Sequence, residues 1–366
     1  MRARAAIANA AGQAFEISEI ELDEPRAGEV LVEIAGVGIC HTDVVGRDGG
    51  MPLSLPAVFG HEGAGRVIAT GPGVTRLVPG DAVVLSYRQC GHCRRCAAGD
   101  PAYCHKWGAL NVSGARADGS PTIRRAGKPV AASFFGQSSF ATHAIAHVDN
   151  AVKVGDDLPL ALLGPLGCGF QTGAGAVIKA LACRLGEALL VTGGGPVGLA
   201  AVMAAAALGL SPIILVEPVA ARRRLALELG ASHAIAPDDD LPGVVRAISA
   251  FGVDAALDTT GLEPVIAASL ACIGPHGRLG LVGIPRSAEA ALTLPLMPLL
   301  GLGQTVRGII EGDADPHRFI PEILALHRTG CFPFDRLIRT YPFAAINEAI
   351  AAQTAGECVK AVLTFD

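Results

Sequence analysis

Four cysteines fall within fifteen residues, as Cys90-x2-Cys93-x2-Cys96-x7-Cys104. Thiolates this close together make a closed ligand set of the kind that holds a structural zinc, and Gly91 and Gly99 supply the tight turns such a loop needs. An iron–sulfur cluster could use the same thiols. So could a ribbon-type nucleic-acid module, given Arg94 and Arg95, although two arginines amount to an ordinary solvated tip. A second group of metal-type donors is dispersed along the chain. Cys40 lies in Gly38-Ile39-Cys40-His41-Thr42-Asp43, His61 in Gly60-His61-Glu62 and Cys168 in Gly167-Cys168-Gly169. Were these three to share one ion, two sulfurs and one imidazole would leave a fourth coordination position open, the feature that separates a catalytic zinc from a structural one.

A third stretch suits a dinucleotide. Gly193-Gly194-Gly195-Pro196-Val197-Gly198 fits G-x-G-x-x-G, and an acid, Glu217, follows nineteen residues after Gly198. Glycines there let the backbone approach a pyrophosphate seated on the helix N-terminus, and the acid meets the ribose hydroxyls. Glu217 would repel a 2'-phosphate, so NAD is expected over NADP. Arg222, Arg223 and Arg224 nearby keep NADP open.

At 366 residues the chain is long enough for two domains. Apolar residues make up 51% and charged residues 17%, enough for large cores and too few charges for disorder. A net charge of -5 gives no electrostatic case for nucleic acid or an anionic membrane, so the expected partner is a small molecule. Six of the ten cysteines have metal-like spacing; Cys183, Cys272, Cys331 and Cys358 are scattered in apolar surroundings, as buried small hydrophobes are. A reducing, cytoplasmic setting is expected. The uncharged run from Leu189 to Val216 is long enough to span a bilayer, but its glycines, Pro196 and Pro212 break it into strand, turn, helix and strand.

These residues need elements to hold them. Up to about residue 150 short strands alternate with turns, as in Val30 to Ile34, Arg66 to Ile68 and Asp81 to Leu85. After Thr172 apolar strands alternate with alanine-rich helices: strands at 188–192, 213–217, 253–258 and 277–282, helices at 196–208, 220–229 and 263–272. That alternation predicts an α/β, doubly wound parallel sheet. A helix over 319–329 and a strand over 359–363 close the chain.

Taken together in this order, the Cys40 stretch, Gly60-His61-Glu62, the four-cysteine cluster, Gly167-Cys168-Gly169 and the Gly193 turn are similar to those of zinc-dependent medium-chain alcohol dehydrogenases, over essentially the full length. The resemblance implies a GroES-like β-rich catalytic domain (1–170 and 309–366) carrying a zinc lobe (86–116), and a Rossmann cofactor domain (171–308). It implies two zincs per subunit, one catalytic on Cys40, His61 and Cys168, and one structural on Cys90, Cys93, Cys96 and Cys104. Such a zinc acts as a Lewis acid, and can bring a bound water from pKa 15.7 to roughly 7. An alcohol held there would lose its proton and pass hydride to the nicotinamide.

By the same resemblance Asp43 accepts a hydrogen bond from His61, Glu62 lies behind the metal, and the Thr42 hydroxyl is the first acceptor of the alcohol proton. His41 and Lys360 fall at pyrophosphate positions, Thr172 near the nicotinamide and Arg222 at the adenosine ribose. Where many members end the proton relay with a histidine, this chain has Val45, so the relay's exit differs.

The stretches Phe135 to Thr142 and Leu163 to Cys168 resemble the aryl-alcohol (benzyl-alcohol) branch. With Phe59, Tyr87, Phe134, Phe135 and Phe140 gathered where a pocket should form, they imply an aromatic or bulky allylic primary alcohol. The alternatives are a glutathione-dependent formaldehyde dehydrogenase, a zinc-free quinone reductase and a non-catalytic crystallin-like or NAD-sensing protein. The apolar run Leu294 to Gly308 resembles the family's subunit-joining edge and implies a homodimer or homotetramer.

Overall fold

The computed structural model describes residues 1–287 and 289–365. They divide into two compact units, one of residues 1–168 with 315–321 and those from Leu337 onward, the other of 169–314 with 322–336. The chain's return to the first unit therefore comes later than residue 309. Helix Pro316–Arg328 straddles the division, and Lys179 pairs with its Glu322 at 2.9 Å inside the second unit.

The first unit is built on two sheets. One runs Ala57–Val58, Arg2–Ala8, Glu16–Leu22, Ile123–Arg125 and Lys128–Val130, all antiparallel where long enough to pair. The other runs Ala151–Lys153, Ala82–Leu85, Gly63–Thr70, Glu29–Gly38, Lys360–Thr364 and Ile338–Pro342, with His143–His147 also paired to Glu29–Gly38. Register in this sheet decides the site. Val37 pairs with Gly63, Val362 with Gly38 and Ala64 with Val84. Four strands thus end or begin side by side, and they carry Cys40, His61-Glu62, Ser86 and Lys360 to the same end. No long-range attraction between these residues is needed to gather them; the ladder does it.

In the second unit six strands lie parallel in the order His233–Ile235, Ile213–Val216, Leu189–Thr192, Val253–Asp258, Ile273–Leu281, Thr305–Gly308. The chain enters at the third position and winds first one way, then the other, which makes a crevice at the carboxyl ends of the central strands. Helix Pro196–Leu208 follows the first strand, with proline at its first turn and Gly209 (φ 72°) closing it. Its residues from Gly198 to Ala205 are buried, so the long uncharged run is interior to an α/β unit. Among the described residues no helix is long and apolar enough to cross a membrane. Strand His233–Ile235 and helix Leu241–Ile248 have no counterpart in the reading of the sequence; Asp240, in an acidic run, caps that helix by accepting from Gly243 N at 3.0 Å.

Candidate metal centres and cofactor turn

Cys40 sits just before helix His41–Arg47. Asp43, in the first turn of that helix, is fully buried and its carboxylate accepts three hydrogen bonds: Oδ2 from Cys40 N (3.0 Å), Oδ1 from Gly60 N (2.9 Å) and from His61 Nδ1 (2.9 Å). One side chain therefore fixes the backbone of both ligand segments and the His61 ring. With its proton on Nδ1, the ring leaves Nε2 as the free electron pair, and that buried atom has no hydrogen-bond partner in the structure. A His61 ring nitrogen, the sulfurs of Cys40 and Cys168, and a Glu62 oxygen all lie within 4.8 Å of one another. The Cys40 thiol is held well below its ordinary value, chiefly by Cys168, against burial and with help from His61 and Lys360. An acceptor without a donor beside ionisable sulfurs is what a metal such as zinc would complete, so the residues fit the group.

Glu62 and Lys360 form a buried pair behind this set, with Nζ at 2.8 Å and 2.7 Å from the two carboxylate oxygens and 3.0 Å from Ile39 O. Burial opposes the Lys360 charge, but Glu62, together with Cys40 and Cys168, more than offsets it. Burial likewise raises the Glu62 carboxyl, partly countered by Lys360. Lys360, assigned to a pyrophosphate by resemblance, thus has its ammonium turned onto Glu62 and Ile39. His41 is exposed, and the Thr42 hydroxyl lies 3.5 Å from Cys40 Sγ.

The aromatic residues separate into two groups. Phe59 and Phe140, expected to line a pocket, are fully buried and pack edge to face with Phe15, Phe59 also against Phe134. Tyr87 is buried as well. The rings that touch a metal-type ligand are Phe135, stacked on His61 with centroids 4.4 Å apart, and Phe134, edge-on at 5.4 Å.

The second cluster is local. The sulfurs of Cys90, Cys93, Cys96 and Cys104 also lie within 4.8 Å of one another. Cys93 is pulled down to about 5 by the backbone N–H groups of Cys96 and His105, while burial and the neighbouring Cys93 push Cys96 up to about 12. Four thiolates this close would repel one another, and a divalent ion would remove the conflict. We expect Cys93→Ser to take one metal per subunit from the protein and to lower Tm by on the order of 5–10 °C, with kcat little changed. Metal analysis alongside calorimetry checks this; lost activity in a fully folded variant would contradict it.

In the second unit the Gly193 turn joins strand Leu189–Thr192 to helix Pro196–Leu208. Gly193 has φ 97°, and a Cβ on Gly198 would meet Gly193 O at 1.8 Å, so glycine is required at both. Gly195 is the N-cap, with Pro196 and Val197 in the first helical turn. Glu217 accepts from Gly194 N (2.6 Å) and Val219 N (2.8 Å) and lines, with Gly193, Arg222, Thr260 and Leu262, a cavity of about 580 Å³. Its carboxylate has lone pairs to spare for a ribose. Thr172 is buried in helix Gly169–Gly175. Asp258, not among the residues the motifs singled out, accepts from Thr192 Oγ1, Thr260 Oγ1 and Gly261 N and so fixes the rim of this crevice. Its signal was Asp-Thr-Thr-Gly directly after an apolar strand.

The chain belongs to the zinc-binding alcohol dehydrogenases. Residues 26–156 match the alcohol dehydrogenase GroES-like domain and residues 196–327 the zinc-binding dehydrogenase domain. Among proteins of known name it is 52% identical to the geraniol dehydrogenase of Castellaniella defragrans, covering 99% of this chain and 98% of that protein. Among solved structures, an alcohol dehydrogenase zinc-binding domain protein from Burkholderia ambifaria superposes with a TM-score of 0.98 at 48% identity, over 100% of this chain and 99% of that one. The benzyl alcohol dehydrogenase of Acinetobacter calcoaceticus does so at 0.96 and 40%, over the whole of both chains.

Proposed function

We propose that this enzyme oxidises primary alcohols whose carbinol carbon bears an aromatic ring or a carbon–carbon double bond, delivers the hydride to NAD, and runs in reverse on the aldehyde. The observation that carries the reading is the convergence of Cys40, His61 and Cys168 on one buried point, with Asp43 behind His61 and Phe135 stacked on its ring. Zinc bound there supplies a Lewis acid for the alcohol oxygen. Asp43 sets the tautomer of His61, the Phe135 and Phe134 rings keep the ligand dry, and the Thr42 hydroxyl is the acceptor for the alcohol proton. Val45 offers no onward base. Geraniol and benzyl alcohol, named in two relatives, share unsaturation beside the carbinol carbon, which stabilises the charge that develops there as hydride leaves.

Glu217 on the cavity wall favours NAD, since a 2'-phosphate would meet its charge. Arg223 is turned away from that role, donating to Glu217 O and Pro218 O, each at 2.7 Å. A second zinc on the four-cysteine lobe stiffens it. Among the described residues no two cysteines form a disulfide, which fits a cytoplasmic setting. Leu296, Met297 and Leu300 are 72%, 76% and 78% exposed beside edge strand Thr305–Gly308, and a patch of this kind favours a homodimer or homotetramer.

Two measurements test the reading. Benzyl alcohol and geraniol should exceed ethanol in kcat/KM by at least about tenfold, the size of a well-filled apolar pocket, with NAD preferred to NADP. Ethanol as the best substrate, or a strict need for glutathione, would overturn it. Light scattering should give at least twice the 37.2 kDa chain mass, and a monomer would contradict the proposed edge.

A further inference from the structure

Three segments of the first unit supply the metal-type ligands, and Asp43 ties only two of them together. What holds Cys168 in step with His61 is a separate pair of side chains. Gln137 is buried and makes every hydrogen bond its amide allows: Nε2 donates to His61 O (2.9 Å) and to Ser86 O (3.2 Å), and Oε1 accepts from Gly63 N (3.1 Å) and Ser139 Oγ (2.6 Å). It therefore grips the backbone on both sides of Glu62. Gly63 must be glycine, because a Cβ there would meet Ser139 Oγ at 2.3 Å. Ser86, also fully buried, continues the link, donating from Oγ to Gly167 O at 2.6 Å, one residue before Cys168. The path from His61 to Cys168 is thus amide, backbone, hydroxyl, backbone.

The loop that presents Gln137 is held in an uncommon conformation. Ser133, Phe135 and Ser138 have φ of 61°, 51° and 62°, each costing an L-residue roughly 1–2 kcal/mol. Ser138 Oγ fastens it, accepting from Phe134 N at 2.9 Å and donating to Val58 O at 2.7 Å. The same turn that aims Gln137 at the His61 backbone aims Phe135 at the His61 ring. Strain of this kind persists where a surrounding structure enforces it, and it gathers at functional sites.

We propose that Gln137 and Ser86 are positioning residues that fix the separation of His61 from Cys168, and so set how long the three-ligand centre retains its metal. The proposal rests on the metal-centre reading above. Neither side chain is a ligand or touches substrate; each acts through the backbone of a ligand segment.

The test uses cobalt(II)-reconstituted protein, in which a sulfur–nitrogen set and an all-sulfur set absorb differently, so that release of metal to a chelator is followed at both centres of one molecule. Gln137→Leu, close in shape, and Ser86→Ala, a milder change, should each speed release from the Cys40 centre by about ten- to hundredfold. Release from the four-cysteine centre should be unchanged, and Ser86→Thr, which keeps the hydroxyl, should restore the slow rate. Unaltered release at the Cys40 centre, or equal acceleration at both centres, overturns the proposal. Wild-type protein that shows no sulfur–nitrogen cobalt band overturns the metal-centre reading beneath it instead.

Discussion

Cys40→Ser should lower alcohol oxidation by at least about a thousandfold, because Lewis-acid stabilisation of the developing alkoxide is worth several kcal/mol and each 1.36 kcal/mol is a factor of ten. The substitution removes a sulfur whose ionisation Cys168, His61 and Lys360 all favour. A hydroxyl in its place stays protonated and is a poor zinc ligand. The loss should fall on kcat and be accompanied by the loss of one metal per subunit. NADH binding, read by fluorescence, should persist, because the Gly193 turn, Glu217 and Arg222 belong to the second unit. Retained turnover without the metal would move the enzyme into the zinc-free reductases.

Lys360→Met should destabilise the first unit as much as emptying a core position would. The substitution leaves Glu62 charged, buried and without its cation, and breaking a buried pair from one side costs about 3–5 kcal/mol. For a unit of this size that is a midpoint shift of roughly 10 °C. Ile39 O loses its Nζ donor as well, which adds to the penalty. Adding Glu62→Gln removes the stranded charge and should regain part of the loss. Thermal unfolding of the single and double variants decides the matter: no recovery in the double variant would mean that Lys360 acts by packing alone.

How far residues foretold these structures depended on how local their partners are. That four sulfurs gather at one point was readable because Cys90, Cys93, Cys96 and Cys104 all lie in one short stretch. The parallel sheet was readable because strands buried on both faces and the helices between them leave a repeating signature. The Cys40, His61 and Cys168 set needed the family resemblance, since strand register, not spacing, brings the segments together. Lys360 in Cys358-Val359-Lys360-Ala361-Val362 reads as a lone charge on a strand, and its partner lies 298 residues away. Gln137 and Ser86 have no signature at all, because they bind backbone groups, which every residue offers. Phe59 and Phe135 are the same residue type, so composition could not tell that the first packs in the core and the second on His61.

Where metal sits in the wild-type protein decides most directly between a metal-dependent and a metal-free mechanism. Anomalous diffraction at the zinc edge, from crystals grown without added metal, should show two peaks in every subunit. One should lie among Cys40 Sγ, His61 Nε2 and Cys168 Sγ, the other among the sulfurs of Cys90, Cys93, Cys96 and Cys104. A single peak at the four-cysteine lobe, in crystals of protein that oxidises benzyl alcohol at full rate, would contradict the metal-dependent mechanism.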